Sequence, residues 1–148
     1  MKRKIITTSD GSKTIQIEDW NEQYHSIHGA VQEAKHVFIK HGLHFFCNAS
    51  GSSDGSQGSQ NAILEGVDHK KIAILELGFG TGLNAFLTFI EAEKLKQPIH
   101  YIGVEAYPVH NAELEQLNYA TWIAAGYEKI FQQLHKASWE ENHQSSSY

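Results

Sequence analysis

Cysteine is nearly absent: Cys47 is the only one in 148 residues, so a disulfide framework is excluded and a reducing cytoplasm is the expected compartment. Lying next to Phe46, a lone thiol reads as a small hydrophobe rather than a nucleophile. No apolar run approaches the roughly 20 residues a bilayer crossing needs, so no membrane partner is expected. The opening Met1-Lys2-Arg3-Lys4-Ile5-Ile6-Thr7-Thr8 has a charged head but neither a long apolar stretch nor a small-residue cleavage site, so no secretory signal is expected. Basic residues are few, 12 against 17 acidic ones, and the net charge is −5. That argues against this segment alone gripping a long nucleic acid, because neutralising phosphates takes many Lys and Arg. A local patch would still suffice for a nucleic-acid substrate. Lys2, Arg3 and Lys4 read as a solvated terminus. Metal motifs are also missing. Neither Cys-x-x-Cys nor His-Glu-x-x-His occurs, and the spacings His25/His28 and His41/His44 are cut by Gly29 and Gly42, so no metal is expected despite ten histidines.

What is present is an ordinary globular composition, 41% hydrophobic and 20% charged, in at most one domain. Ile5 and Ile6, the turn signal Ser9-Asp10-Gly11-Ser12 and the alternating Thr14-Ile15-Gln16-Ile17 predict a hairpin. Residues 18–26 are polar with embedded aromatics and read as irregular. From about Gly29 the spacing of Val31, Ala34 and Phe38 is helical, with Gly42 as the natural stop. Residues 48–60 are almost all Asn, Ser, Gly, Asp and Gln, which bury nothing and predict a flexible loop. The division expected is therefore 1–47 as an N-terminal hairpin and helix extension, 48–60 as the loop, and 61–148 as an α/β unit.

In that unit, Ile72-Ala73-Ile74-Leu75-Glu76-Leu77 is nearly continuous in apolar residues, the pattern of a strand covered on both faces. Glycines follow at once. Leu83, Phe86, Leu87 and Ile90 then recur at helical spacing up to Gln97-Pro98. Ile99-His100-Tyr101-Ile102-Gly103-Val104-Glu105 is a second strand, and Pro108 could open a helix whose face includes Leu114 and Leu117. Strand, loop, helix, strand, helix predicts two parallel strands.

Glycines at a strand end let the backbone turn tightly and approach a ligand, and the next helix offers free N–H groups to it. An acid ending the next strand is placed to take two ribose hydroxyls. Glu105 holds that position, so the spacing predicts an adenosine-containing cofactor. A dinucleotide fingerprint would read G-x-G-x-x-G. Here Gly78, Gly80 and Gly82 are equally spaced and Glu76 precedes the first by two residues. This order resembles the first motif of class-I methyltransferases, where the acid helps to hold the amino-acid end of S-adenosyl-L-methionine.

The longer string Leu75-Glu76-Leu77-Gly78-Phe79-Gly80-Thr81-Gly82-Leu83-Asn84 resembles the methyltransferase part of the MnmC family. A second block, Tyr24-His25-Ser26-Ile27-His28-Gly29-Ala30 with Glu33 and His36-Val37-Phe38-Ile39, is similar too, as is Asp10-Gly11-Ser12 with Thr14. The resemblance implies a Rossmann-like class-I methyltransferase fold and the final methyl transfer in forming 5-methylaminomethyl-2-thiouridine at the tRNA wobble position. None of the 148 residues matches an oxidase domain, so the chain resembles the stand-alone form rather than the fused bifunctional one, although oxidoreductase activity belongs to the family at large. It further implies donor contacts from Glu76, Gly78, Phe79, Gly80, Thr81, Gly82, Asn84 and Glu105. Tyr24, His25, Ser26 and Glu33 would line the entrance, although an aromatic–histidine loop is on residues alone more often packing. Glu33 and His36, one helical step apart, read by default as a hydrogen-bonded structural pair, with Glu33 preferred as a site residue.

One departure concerns the acidic segment that in this family ends the fourth strand and lines the amine pocket. Nothing up to Tyr148 matches it, so that segment is expected beyond Tyr148. The expectation is a fold lacking its carboxyl-terminal half, with the catalytic residue unassigned, independent activity reduced, and self-association through an unfinished sheet edge. The rival readings are an NAD-type oxidoreductase half and a non-catalytic cofactor-binding fragment.

Overall fold

The computed structural model describes residues 1–51 and 71–145. Strands β1 (Arg3–Thr7) and β2 (Lys13–Ile17) form the expected hairpin, paired Arg3↔Ile17 through Thr7↔Lys13. A two-residue strand β3 (Glu22–Gln23) adds to β2 within the stretch read as irregular. Its shortness explains why no alternating pattern announced it.

The hairpin turn caps the first helix. Helix α1 (Ala30–Glu33) begins with three N–H groups that have no helical partner. Ala30 donates to Thr8 Oγ1 at 3.4 Å, Val31 to Ser12 Oγ at 3.3 Å and Gln32 to Asp10 Oδ2 at 3.0 Å. Asp10 also accepts from the Thr8 and Ser12 hydroxyls and from the Ser12 N–H. Gly29 is required beside it, because a Cβ there would lie 2.8 Å from the Asp10 carboxylate.

The helical path does not stop at Gly42. It continues as wider π-helical turns, Ala34–His44, and then as α2 (Phe45–Gly51). Ile39 and Leu43 are buried in the core and His44 bonds Glu91 at 3.0 Å, which outweighs the roughly 1 kcal/mol that a helical glycine costs. Helix α2 also takes in residues 48–51 of the predicted flexible loop; residues 52–60 lie outside the described residues. Cys47 packs against the core, and burial pushes its thiol up from its ordinary value, in keeping with a packing role.

Strands β4 (Ile72–Leu77) and β5 (Ile99–Val104) are parallel, in register from Ile72↔Ile99 to Leu77↔Val104, and α3 (Leu83–Leu95) connects them. The expectation that β4 is covered on both faces needs correction. Ile72 and Glu76 are buried, whereas Leu75 is 62% and Leu77 79% exposed, beside half-exposed Ile102 and Val104 on β5. Among the described residues, the core covers one face of this pair only.

Three short helices follow: α4 (Asn111–Leu114), α5 (Tyr119–Ile123) and α6 (Glu128–Lys136). The first starts three residues after Pro108, where the Glu113 carboxylate accepts the His110 N–H at 2.9 Å. One hydrophobic cluster joins Ile15 of the hairpin, Val31 and Leu43 of the long helical stretch, Leu83, Phe86 and Ile90 of α3, Tyr119 of α5 and Phe131 of α6. Polar contacts stitch the same parts together. Asn118 Oδ1 accepts the Lys13 N–H at 3.0 Å, and its Nδ2 donates to the Gly11 carbonyl at 3.1 Å.

Candidate functional site

Gly78, Gly80 and Gly82 all have positive φ, +88°, +55° and +69°, a region costly for residues with a Cβ, so the alternating glycines are a backbone requirement. Gly78 and Phe79 donate to the Val104 carbonyl at 2.8 and 3.0 Å, which draws the loop toward the end of β5. Phe79 lies over Gly103, where a Cβ would approach its ring to 2.5 Å. Above Gly78 there is open space: a Cβ built there meets nothing within 4 Å. The loop thus closes inward and opens outward at its first glycine.

Two acids flank it. Glu105 Oε2 accepts the Gly80 N–H and its Oε1 the Tyr107 N–H, each at 2.8 Å. Glu76 is buried, with Asn84 Nδ2 donating to one oxygen at 2.9 Å and the Tyr101 hydroxyl to the other at 2.7 Å. Burial raises its carboxyl above the usual range, the two donors oppose that, and the Glu105 charge adds to it. Tyr101 is pushed up as well, by burial first and then by the Glu76 charge.

Of the residues expected at the entrance, two reach the loop. The Tyr24 ring lies 2.7 Å from a Cβ built on Gly80, and His25 Nε2 is 2.8 Å from Thr81 Oγ1. The other two bond each other, the Ser26 N–H donating to Glu33 Oε2 at 2.8 Å. Glu33 and His36 do not pair; His36 stacks edge-on against His41, with ring centres 4.6 Å apart. Thr81, expected to contact the donor, is fully buried with its hydroxyl turned inward. Residues 146–148 lie outside the described residues, and no described residue is assigned as catalytic. Among the described residues, no three His, Cys, Asp or Glu side chains stand close enough to hold a metal, and no helix is long and apolar enough to cross a membrane.

Arg3 corrects the reading of a solvated terminus. Its side chain is only 8% exposed, and its guanidinium donates to the carbonyls of Tyr107 and Pro108 and to Glu113 at 3.1 Å. It also lies over the Tyr24 ring, 5.8 Å from the centre. The hairpin is thereby tied to the loop that follows Glu105. Residue reading also missed His135, whose Nε2–H donates to the Thr81 carbonyl at 3.1 Å. The Phe131–Leu134–His135 spacing on α6 was the available signal.

These features define the class: an α/β protein with a glycine loop at the carboxyl ends of two parallel strands and an acid at each strand end. The chain is MnmC-like. It is 40% identical over 58 residues to the tRNA 5-methylaminomethyl-2-thiouridine biosynthesis bifunctional protein MnmC of Campylobacter fetus, a match covering 38% of this chain and 10% of that protein. It is 33% identical over 101 residues to MnmC of Leptospira borgpetersenii, covering 66% and 13%. The crystal structure of MNMC2 from Aquifex aeolicus superposes with a TM-score of 0.61 at 23% identity, over 92% of this chain and 37% of that one, a likeness of fold. No protein-family profile matches. The matches span only 10% and 13% of the length of the two curated relatives just described.

Proposed function

We propose that the glycine loop binds S-adenosyl-L-methionine on a Rossmann-like class-I methyltransferase fold. The function served would be methylation of the aminomethyl group on a tRNA wobble uridine, in the cytoplasm. The relatives' names supply the modified nucleoside; the reading of the loop rests on its residues. One observation carries it: open space over Gly78 lies next to a buried Glu76 and a loop-bound Glu105. A cofactor with a positively charged amino end and a ribose finds a complementary group for each. Glu76 would take the ammonium, Glu105 the ribose hydroxyls, and the backbone of Gly78, Phe79, Gly80 and Gly82 would allow close approach. Asn84 would act through Glu76, whose oxygen it holds.

The cofactor supplies an activated methyl group. The chain's own contribution is placement: effective orientation supplies much of the barrier reduction in such a transfer. The accepting amine has to be deprotonated, and no described residue is assigned to that step.

A dinucleotide is the second reading, favoured by one register. Gly80-Thr81-Gly82-Leu83-Asn84-Ala85 fits G-x-G-x-x-A, and Ala85 is buried. Against it, the glycine that directly follows β4 is Gly78, and counting from there puts Leu83, 1% exposed, where the third small residue belongs. Calorimetric titration with S-adenosylhomocysteine, NAD and FAD decides. Tighter binding of either dinucleotide overturns the methyl-donor reading. Labelled donor with tRNA bearing the aminomethyl uridine tests the transfer, and an unlabelled tRNA product from a donor-binding chain would limit the function to binding.

A further inference from the structure

Thr81 stands between two positive-φ glycines in the loop, yet none of its surface reaches solvent. Two imidazoles from distant parts of the chain hold it. His25 Nε2 meets the Thr81 hydroxyl at 2.8 Å, and His135 Nε2–H donates to the Thr81 carbonyl at 3.1 Å. Both rings are wedged in place. The His25 backbone N–H donates to Thr14 Oγ1 at 3.2 Å, and its ring packs edge-on to Tyr119. His135 packs edge-on to Phe79 and Phe131, with ring centres 5.4 and 5.0 Å away. It also closes the space beneath Gly82, where a Cβ would lie 2.8 Å from its Nε2.

We propose that His25 and His135 are positioning residues which, as neutral rings, hold Thr81 in the core and so fix the cofactor loop, making cofactor binding fall in mild acid. The proposal rests on the S-adenosylmethionine reading only for the choice of ligand. Its physical basis is that an imidazolium wedged among apolar rings is costly while the neutral ring is not. Burial pushes both histidines below 6.5. The groups facing His25 are the Thr81 and Thr14 hydroxyls, the Tyr119 ring and, further off, the Glu33 carboxylate, which opposes the shift. Those facing His135 are the Thr81 carbonyl, also opposing, and the Phe79 and Phe131 rings. On the loop itself, Glu105 faces Gly80. Because the clamped state prefers the neutral rings, binding is fully present above 6.5 and is lost as pH falls through the lowered values.

The test is calorimetric titration with S-adenosylhomocysteine at pH 7.5, 6.5 and 5.5. The parent chain should weaken roughly tenfold or more from the highest to the lowest pH. His25→Gln with His135→Gln, which keeps hydrogen-bonding groups without the titration, should show a flat profile from pH 7.5 to 5.5 whatever its affinity at pH 7.5. A double variant with the parent's slope overturns the proposal. Should that variant not fold, Thr81→Ser and Thr81→Val replace it. The serine should keep the parent's slope and the valine, which cuts the His25 limb and leaves the His135 limb on the backbone carbonyl, should make it shallower; equal slopes overturn the proposal. NMR titration of the His25 and His135 ring protons separates the clamp from the choice of ligand. Values at or above 6.5 sink the clamp whatever binds, whereas low values in a chain that ignores S-adenosylhomocysteine sink only the cofactor reading.

Discussion

The Glu105 carboxylate accepts the Gly80 N–H at 2.8 Å, so the acid at the end of β5 is tied to the loop that follows β4. The same group is the proposed ribose acceptor. Glu105→Ala should therefore weaken S-adenosylhomocysteine roughly tenfold or more, since hydrogen bonds to a charged group are worth about 1.5–3 kcal/mol. Calorimetry on a variant of unchanged circular dichroism checks this. Unaltered affinity would mean that Glu105 does not lie over the ribose.

Gly78 and Gly80 should respond differently to alanine. At Gly80 the new methyl would press on the Tyr24 ring, which Arg3 pins from its face, and φ is +55°. Gly80→Ala should lose about 1–3 kcal/mol of stability by urea unfolding. Tyr24→Ala should restore part of that loss. At Gly78 there is no collision, only the positive φ, but the methyl would stand in the open space assigned to the ligand. Gly78→Ala should thus cost more in ligand affinity than in stability, and the reverse ranking would misplace the ligand.

Tyr101→Phe takes one donor from the buried Glu76 carboxylate. Stability should fall by about 1.5–3 kcal/mol at neutral pH. The effect should depend on pH in a definite sense. Glu76 titrates above 4.5 in the folded chain, so the stability it contributes is fully present below 4.5 and lost as pH rises through the raised value. Without the Tyr101 hydroxyl the ionised form is worse off still. Urea midpoints at pH 5 and pH 8 should differ more for Tyr101→Phe than for the parent; equal differences would show that Glu76 is not the responding group.

Asp10 runs the opposite way. Burial disfavours its charge, but the Ser12 and Thr8 hydroxyls and the Ser12 and Gln32 N–H groups outweigh that and hold it down at about 2. Its contribution is present above 3.8 and lost as pH falls through about 2. Asp10→Asn should cost about 1 kcal/mol at neutral pH, the size of a lost helix cap, and flatten the acid limb of stability between those values. An unchanged acid limb by circular dichroism would assign it to other carboxylates.

Much of this was legible because local chemistry and tertiary structure agree. The glycines after Leu77 need positive φ, and the hairpin turn at Asp10-Gly11-Ser12 needs its own residues; in both places the pattern is local. The misses share a different cause. Gly42 is a helix stop by propensity, but Leu43 is buried one residue later and packing wins. Arg3 looks solvated until residues 107–113 arrive to bond it. His135 is an unremarkable helix residue until it meets Thr81, 54 positions earlier. Contacts of that separation leave no periodicity to read.

Asn118 has a consequence for synthesis. Its amide seals the Gly11 carbonyl and the Lys13 N–H from more than a hundred residues downstream. A ribosome adding about 5–20 residues per second reaches Asn118 roughly 5–20 s after it has made the hairpin. Over that interval the turn that caps α1 lacks its final two hydrogen bonds. The nascent amino-terminal segment is thus a waiting surface, the period in which a chaperone has something to hold and a protease something to cut.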